Sequence, residues 1–257
     1  MYSKRSVSSV AFLSRHHNTV NMDAIPKVIH LISARQELPP QYAPFIREMR
    51  HFHPEWEIKI WDDQAAIAIV SAHFPEWLPD YEAYPRPVQR ADILRTMIIY
   101  LHGGFYLDLD MHCLKPLDPL SVHSLVLATE KVLSQEQCTL LGHQHTVRIA
   151  NYMFGGIPRH PFWLHFLQAA QQKARQPVVA ESDILETTGP GLLTHVYHQY
   201  AGQYNNITLL PNDGGDCPIS CGPASCHFGT YAIHMHMGSW RWQTGHSPNL
   251  TSHEQRS

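Results

Sequence analysis

The chain has 257 residues, 44% of them hydrophobic, with a formal net charge of -3 and 20 histidines. That length and apolar content suit one well-cored α/β unit and not several domains. The slight acidity excludes a nucleic-acid binder, which would carry a basic face, and no apolar run approaches the ~18 residues of a membrane span. Residues 1–24 and 246–257 read as flexible polar tails around a single domain, 25–245. Val7–Leu13 is too short and too polar for a signal-peptide core, so the cytoplasm is the default compartment. Five cysteines, Cys113, Cys138, Cys217, Cys221 and Cys226, leave at least one unable to pair within a monomer. The last three crowd a Gly/Pro-rich loop in which free thiols, a disulfide and a zinc site with His227 all stay open.

In chain order, Ile25–Ser33 is β-rich after its proline and predicts the first core strand. Pro39–Phe52 predicts a surface helix carrying Arg47, Glu48 and Arg50. Glu57–Trp61 predicts a second strand, and Asp62-Asp63 a helix cap for Gln64–Ala72. Pro75, Pro79, Pro85 and Pro87 predict a stiff loop. Beyond it, Ile93, Leu94, Met97, Ile98 and Leu101 recur every three or four residues, which predicts a helix with one apolar stripe. Gly103-Gly104 stops that helix. Phe105–Met111 then alternates as a strand does, with Tyr106, Asp108 and Asp110 on one face and Phe105, Leu107 and Leu109 on the other. Leu125–Thr129 predicts a strand, Asn151–Gly156 a strand or loop edge, and Pro161–Arg175 an amphipathic helix. Thr187–Gly191 reads as a turn opening a helix at Leu192–Tyr200. Tyr231–Met237 alternates again, with Ile233, Met235 and Met237 on one face and His234 and His236 on the other.

Two carboxylates two apart on one strand face raise each other's pKa unless a cation sits between them. Hard oxygen donors suit Mg2+ or Mn2+, ions that also hold phosphates. A bare Asp-x-Asp is equally a pair of solvated carboxylates. Asp92 and Arg95 stand i,i+3 on the preceding helix and can face the same site. Together these residues supply an acid for hydroxyls, a guanidinium for phosphate or sugar oxygens, and a metal-binding acid pair. From the residues alone, the reading is metal-assisted phosphate chemistry.

Ala91-Asp92-Ile93-Leu94-Arg95, then Tyr100-Leu101-x-Gly103-Gly104-x-Tyr106-x-Asp108-x-Asp110, then Leu114-Lys115-Pro116-Leu117 resemble the sugar-binding DXD region of glycosyltransferase family 32. The resemblance implies a GT-A-type nucleotide-sugar-binding fold, a Rossmann-like mixed sheet flanked by helices. It also implies retaining transfer of a hexose from a UDP- or GDP-sugar to a hydroxyl of a glycan, lipid or protein, with Mn2+ or Mg2+. Asp108 and Asp110 would hold the metal, with a third ligand from the closing His236-Met237-Gly238-Ser239-Trp240. His236 is the first choice for that ligand and His234 the second. Asp92 and Arg95 would act on sugar and phosphate oxygens, and Tyr106, Asn151, Gly189 and Trp240 would line the donor. Leu31-Ile32-Ser33-Ala34 stands where the family carries an aromatic against the base. Family relatives are often Golgi-anchored. No covalent nucleophile stands out, which favours front-face attack by the acceptor hydroxyl. Two other readings stay open. Phe105–Asp110 also resembles the nucleophile strand of haloacid-dehalogenase phosphatases, although Asp92 and Arg95 would then have no role. The third is a non-catalytic sugar- or nucleotide-binding domain on the same fold.

Overall fold

The computed structural model describes residues 24–212 and 226–237. Trp240, Cys217, Cys221 and the residues of both tails beyond these limits lie outside the described residues. In chain order the elements are β1 (Val28–Ile32), α1 (Ala43–Phe52), β2 (Glu57–Trp61), α2 (Asp63–His73), α3 (Leu78–Ala83), α4 (Pro87–His102) and β3 (Gly104–Leu107). They continue with β4 (Met111–Cys113), β5 (Leu125–Val132), α5 (Gln135–Leu141), β6 (Val147–Ile149), β7 (Met153–Gly156) and α6 (Phe162–Lys173). The last are α7 (Glu181–Thr187), α8 (Pro190–Tyr200), β8 (Ile207–Leu210), β9 (His227–Phe228) and β10 (Ala232–His234).

Seven strands form one mixed sheet in the order β2-β1-β3-β7-β5-β6, with β8 also on β5. β2, β1 and β3 run parallel, while β7 is antiparallel to both β3 and β5. β8 pairs, in parallel, the same residues of β5 as β7 does, so it takes the opposite edge. Helices cover the sheet, giving the mixed, helix-flanked architecture that the sequence predicted. The alternation of β3 sorts its side chains between two cores. Tyr106 joins the cluster of α4, α6 and α8, while Phe105 and Leu107 join that of Ile29, Met49 and Trp56.

Local chemistry explains most boundaries. Asp62 caps α2 by accepting from the Ala65 amide at 2.8 Å. Pro87 opens α4 in its first turn, where its missing N–H costs nothing. Gly103 and Gly104 end α4 at φ 65° and 95°, and a Cβ on Gly104 would come within 2.6 Å of the Val28 carbonyl. His30 beside it is buried and neutral: desolvation lowers its pKa to about 3. It accepts from the Trp61 indole at 3.0 Å and donates to the Gly103 carbonyl at 2.8 Å, which ties β1, β2 and the end of α4 together.

Several expectations are corrected. α4 carries no simple stripe, because Asp92 through Tyr100 are all buried and the helix runs through the core. The proline-rich loop contains α3, since Pro75 and Pro79 fall in first turns that tolerate them. α7 was not foreseen. The strand over Phe105–Met111 breaks after Leu107, and β4 resumes in a separate three-stranded sheet, β4-β10-β9. The strand over Tyr231–Met237 stops at His234, because its partner β4 has turned away and His236 takes φ 50°. Among the described residues no helix is long and apolar enough to cross a membrane.

Candidate active site

Asp108, Leu109 and Asp110 form the turn between the two sheets, at the carboxyl ends of the parallel strands β1 and β3. The Asp108 amide donates to the Tyr152 carbonyl at 2.9 Å, and the Met111 amide closes the turn on the Asp108 carbonyl at 3.2 Å. The two carboxylates therefore meet across a turn and not along a strand face. Strand pairing delivers their third partner: His234 on β10 stands opposite Met111 on β4. Its Nε2 lies 3.3 Å from Asp110 and 3.6 Å from Asp108. One ligand atom from each of Asp108, Asp110 and His234 lies within 4.8 Å of the others. Two carboxylate oxygens and an imidazole nitrogen fit a divalent cation such as Mn2+ or Mg2+. The His234 ring stacks on Tyr152 at 4.7 Å, which fixes its plane. His236 lines the same cleft, its ring 4.1 Å from that of His234, but its Nε2 is engaged 2.6 Å from Cys226 Sγ and it stands outside the three-ligand group.

The electrostatics follow from burial and charge. Burial works to lower the His234 pKa, but the hydrogen bond to Asp110 and the charges of Asp108, Asp110 and Glu130 outweigh it and raise it. Burial works to raise Asp110, yet His234 and the Met237 amide, donating at 2.7 Å, hold it below the usual carboxylate range. A pocket that pulls a proton onto imidazole draws in any compact cation.

Beside the acid pair lies a buried polar network that runs from α4 to Tyr106, Asn151 and Thr188. Arg95 reaches Asp92 at 3.2 Å and Asp108 at 3.4 Å, donates to the Asn151 carbonyl at 2.7 Å, and covers the Tyr106 ring at 4.5 Å. Tyr106 donates its hydroxyl to Asp108. Asp92, 3% exposed, accepts from the Asn151 side-chain amide at 3.1 Å and from the Thr188 hydroxyl at 2.9 Å. Asp92, Arg95, Tyr106, Asn151 and Asp108 thus form one connected set, which Asp110 joins through His234. Gly189 adjoins it as the N-cap of α8, directly after Thr188. Sequence reasoning noted the Thr-Gly-Pro turn but missed the Thr188 side chain, whose only signal was that turn. Asp92, Arg95, Tyr106, Asp108, Asp110, Asn151 and His234 line an open cleft of about 1120 Å³, whereas Thr188 and Gly189 stand behind its wall. Its wall includes Ile32, Ser33 and Ala34 from the end of β1, with Tyr42 beside them.

A mixed α/β sheet with an acid pair at the carboxyl ends of its parallel strands, facing an open cleft, defines a GT-A-type protein. Comparison with known proteins agrees. Residues 39–127 match the family described as "Glycosyltransferase sugar-binding region containing DXD motif". The chain is 28% identical over 176 residues to mannosyl phosphorylinositol ceramide synthase SUR1 of Saccharomyces cerevisiae, covering 68% of this chain and 42% of that protein. It is 28% identical over 183 residues to inositol phosphoceramide mannosyltransferase 2 of Schizosaccharomyces pombe, covering 71% and 49%. The chain therefore spans less than half the length of these curated relatives. The solved structure of the PaToxG glycosyltransferase shares the fold at a TM-score of 0.51 and 17% identity, covering 70% of this chain and 72% of that one. Over residues 39–127, then, the chain is similar to the DXD-containing glycosyltransferase family, and over about two thirds of its length to fungal mannosyltransferases.

Proposed function

We propose that the chain is a retaining, divalent-metal-dependent glycosyltransferase that moves a hexose from a UDP- or GDP-sugar to a hydroxyl acceptor. The observation that carries this reading is the convergence of Asp108, Asp110 and His234 in the same cleft as the buried Asp92–Arg95 pair. Bound at that triad, Mn2+ or Mg2+ supplies the positive charge that stabilises a departing diphosphate. Arg95 spends its donors on Asp92, Asp108 and the Asn151 carbonyl, so its part is to hold the acids in place. A carboxylate has about four acceptor positions, and Asp92 uses three of them on the protein, leaving room for a sugar hydroxyl. Its burial also makes Asp92 a poor covalent nucleophile, which supports front-face attack by the acceptor hydroxyl. Tyr42, in the short turn just before α1, also lines the cleft and is the side chain we assign to cover the base where the family aromatic is missing.

Both curated relatives carry mannose in their names, so GDP-mannose is the first donor to test. A sugar-nucleotide panel with Mn2+, scored for released GDP or UDP, tests the reading. Donor binding without turnover, across metals and acceptors, would move the chain to the non-catalytic class. Hydrolysis of a simple phosphomonoester alone would revive the phosphatase. The third ligand is tested separately: Mn2+ should raise the melting temperature of wild type and H236A but not of H234A. The reverse pattern would return the role to His236.

A further inference from the structure

We infer that the cleft contains a second, anion-binding subsite built from Lys131, His143 and Arg148, which receives the phosphate of a phosphate-bearing acceptor. Its role as an acceptor site rests on the glycosyltransferase reading above. The pairing of β5 with β6 shifts register between Thr129 and Lys131, and Lys131 stands opposite Arg148. Such a bulge re-aims side chains, and here Glu130 and Lys131 both line the cleft. They serve different ends of it. The charge of Glu130 acts on His234, whereas that of Lys131 acts on His143. Lys131 has no ion-pair partner among the described residues.

Arg148 has only 6% of its side chain exposed, yet the protein does not satisfy it. Its Nε has no hydrogen-bond partner. One amine donates to His143 Nδ1 at 3.3 Å, and the other reaches Glu186 at a long 3.5 Å. A His143 that accepts at Nδ1 carries its proton on Nε2, free to donate. Glu186 lies 3.8 Å from His143 and is 46% exposed. Its carboxylate fills the space that a Cβ on Gly191 would take, over the first turn of α8. A half-exposed carboxylate with two long contacts, set between a buried guanidinium and a helix N-terminus, occupies the place of an anion. A phosphate brings more acceptor oxygens at shorter distance, and Glu186 can swing to water as it enters.

The test reads His143 in the full chain by NMR, with H143Q to identify its signals. Glycerol 3-phosphate should raise the His143 pKa by about one unit, as a close opposite charge does, while glycerol should not. K131A should weaken that binding about tenfold, the loss of one charge-assisted contact, and E186Q should tighten it by removing the competing carboxylate. A lipid source is tested with phosphatidylcholine vesicles with or without phosphatidylinositol. Retention that needs phosphatidylinositol and Lys131 assigns the phosphate to a lipid headgroup, and binding of glycerol 3-phosphate alone assigns it to a soluble acceptor. A His143 that ignores both probes, or equal binding by wild type, K131A and E186Q, overturns the subsite. None of these readouts needs turnover. A chain that transfers sugar but fails them loses the subsite alone, and one that passes them but releases no nucleotide keeps the anion site and loses the enzyme.

Discussion

Burial pushes the Asp92 carboxyl up to about 7, against the pull of Arg95, Thr188 and Asn151. A folded-state pKa above the unfolded value means that the native state holds a proton the unfolded chain has released. The stability Asp92 contributes is therefore full below an unfolded value of about 4 and is lost as pH rises through about 7. In metal-free buffer, wild type should lose stability relative to D92N over that window in a denaturant series. Parallel curves would mean that Asp92 ionises freely. Asp110 has the opposite sign, because its folded pKa is depressed. Its contribution is present above the unfolded value and lost as pH falls through the folded one. D110N should abolish transfer and also cost about 1–3 kcal/mol at neutral pH, since the Met237 amide loses a charged acceptor. Undiminished transfer in that variant would remove Asp110 from the metal site.

The elements that were legible in the sequence are those whose signal is local. β2 follows from Glu57–Trp61, α2 from its aspartate cap, and α6 from its apolar spacing. The acid pair shows where local signals fail. Phe105–Met111 alternates perfectly, but a strand needs a continuous neighbour, and its neighbours belong to two different sheets. Periodicity cannot report which partner is present. The turn ahead of α8 offers the matching prediction. T188V keeps the shape but removes the donor 2.9 Å from Asp92. That change should lift the Asp92 pKa further and move the acid limb of the pH–rate profile to higher pH. A lower rate with an unmoved limb would make Thr188 merely structural.

Across the whole molecule, the part of the site that spacing and periodicity alone reach lies within nineteen residues, Asp92 to Asp110, while Asn151 and His234 enter only through the family resemblance. Its closing members arrive from far along the chain: Asn151, Thr188 and His234. His234 and His236 share a sequence face, and only the register of β10 on β4 separates them. The net charge of -3 likewise hid the Lys131–His143–Arg148 group, because a sum over the chain says nothing of where charges gather. The missing aromatic of β1 was visible as an absence, while Tyr42 emerged only once the cleft was assembled.

The small sheet that brings His234 to the acids also has a place in time. Asp110 and Met237 are 127 residues apart, and closing so long a loop is among the slower acts of folding. On that ground the nucleus is expected to draw on nearer neighbours such as α4 and β3, and contacts of this kind to form after it. A cation that binds the finished triad then stabilises the native state and leaves the transition state untouched. In stopped-flow measurements, Mn2+ should slow unfolding and leave the refolding rate near its metal-free value, with EDTA reversing the first effect. Refolding that quickens in step with Mn2+ would place the small sheet inside the nucleus instead. If the triad does close last, the chain acquires its fold before its chemistry, and a cell short of metal would accumulate folded but inactive protein.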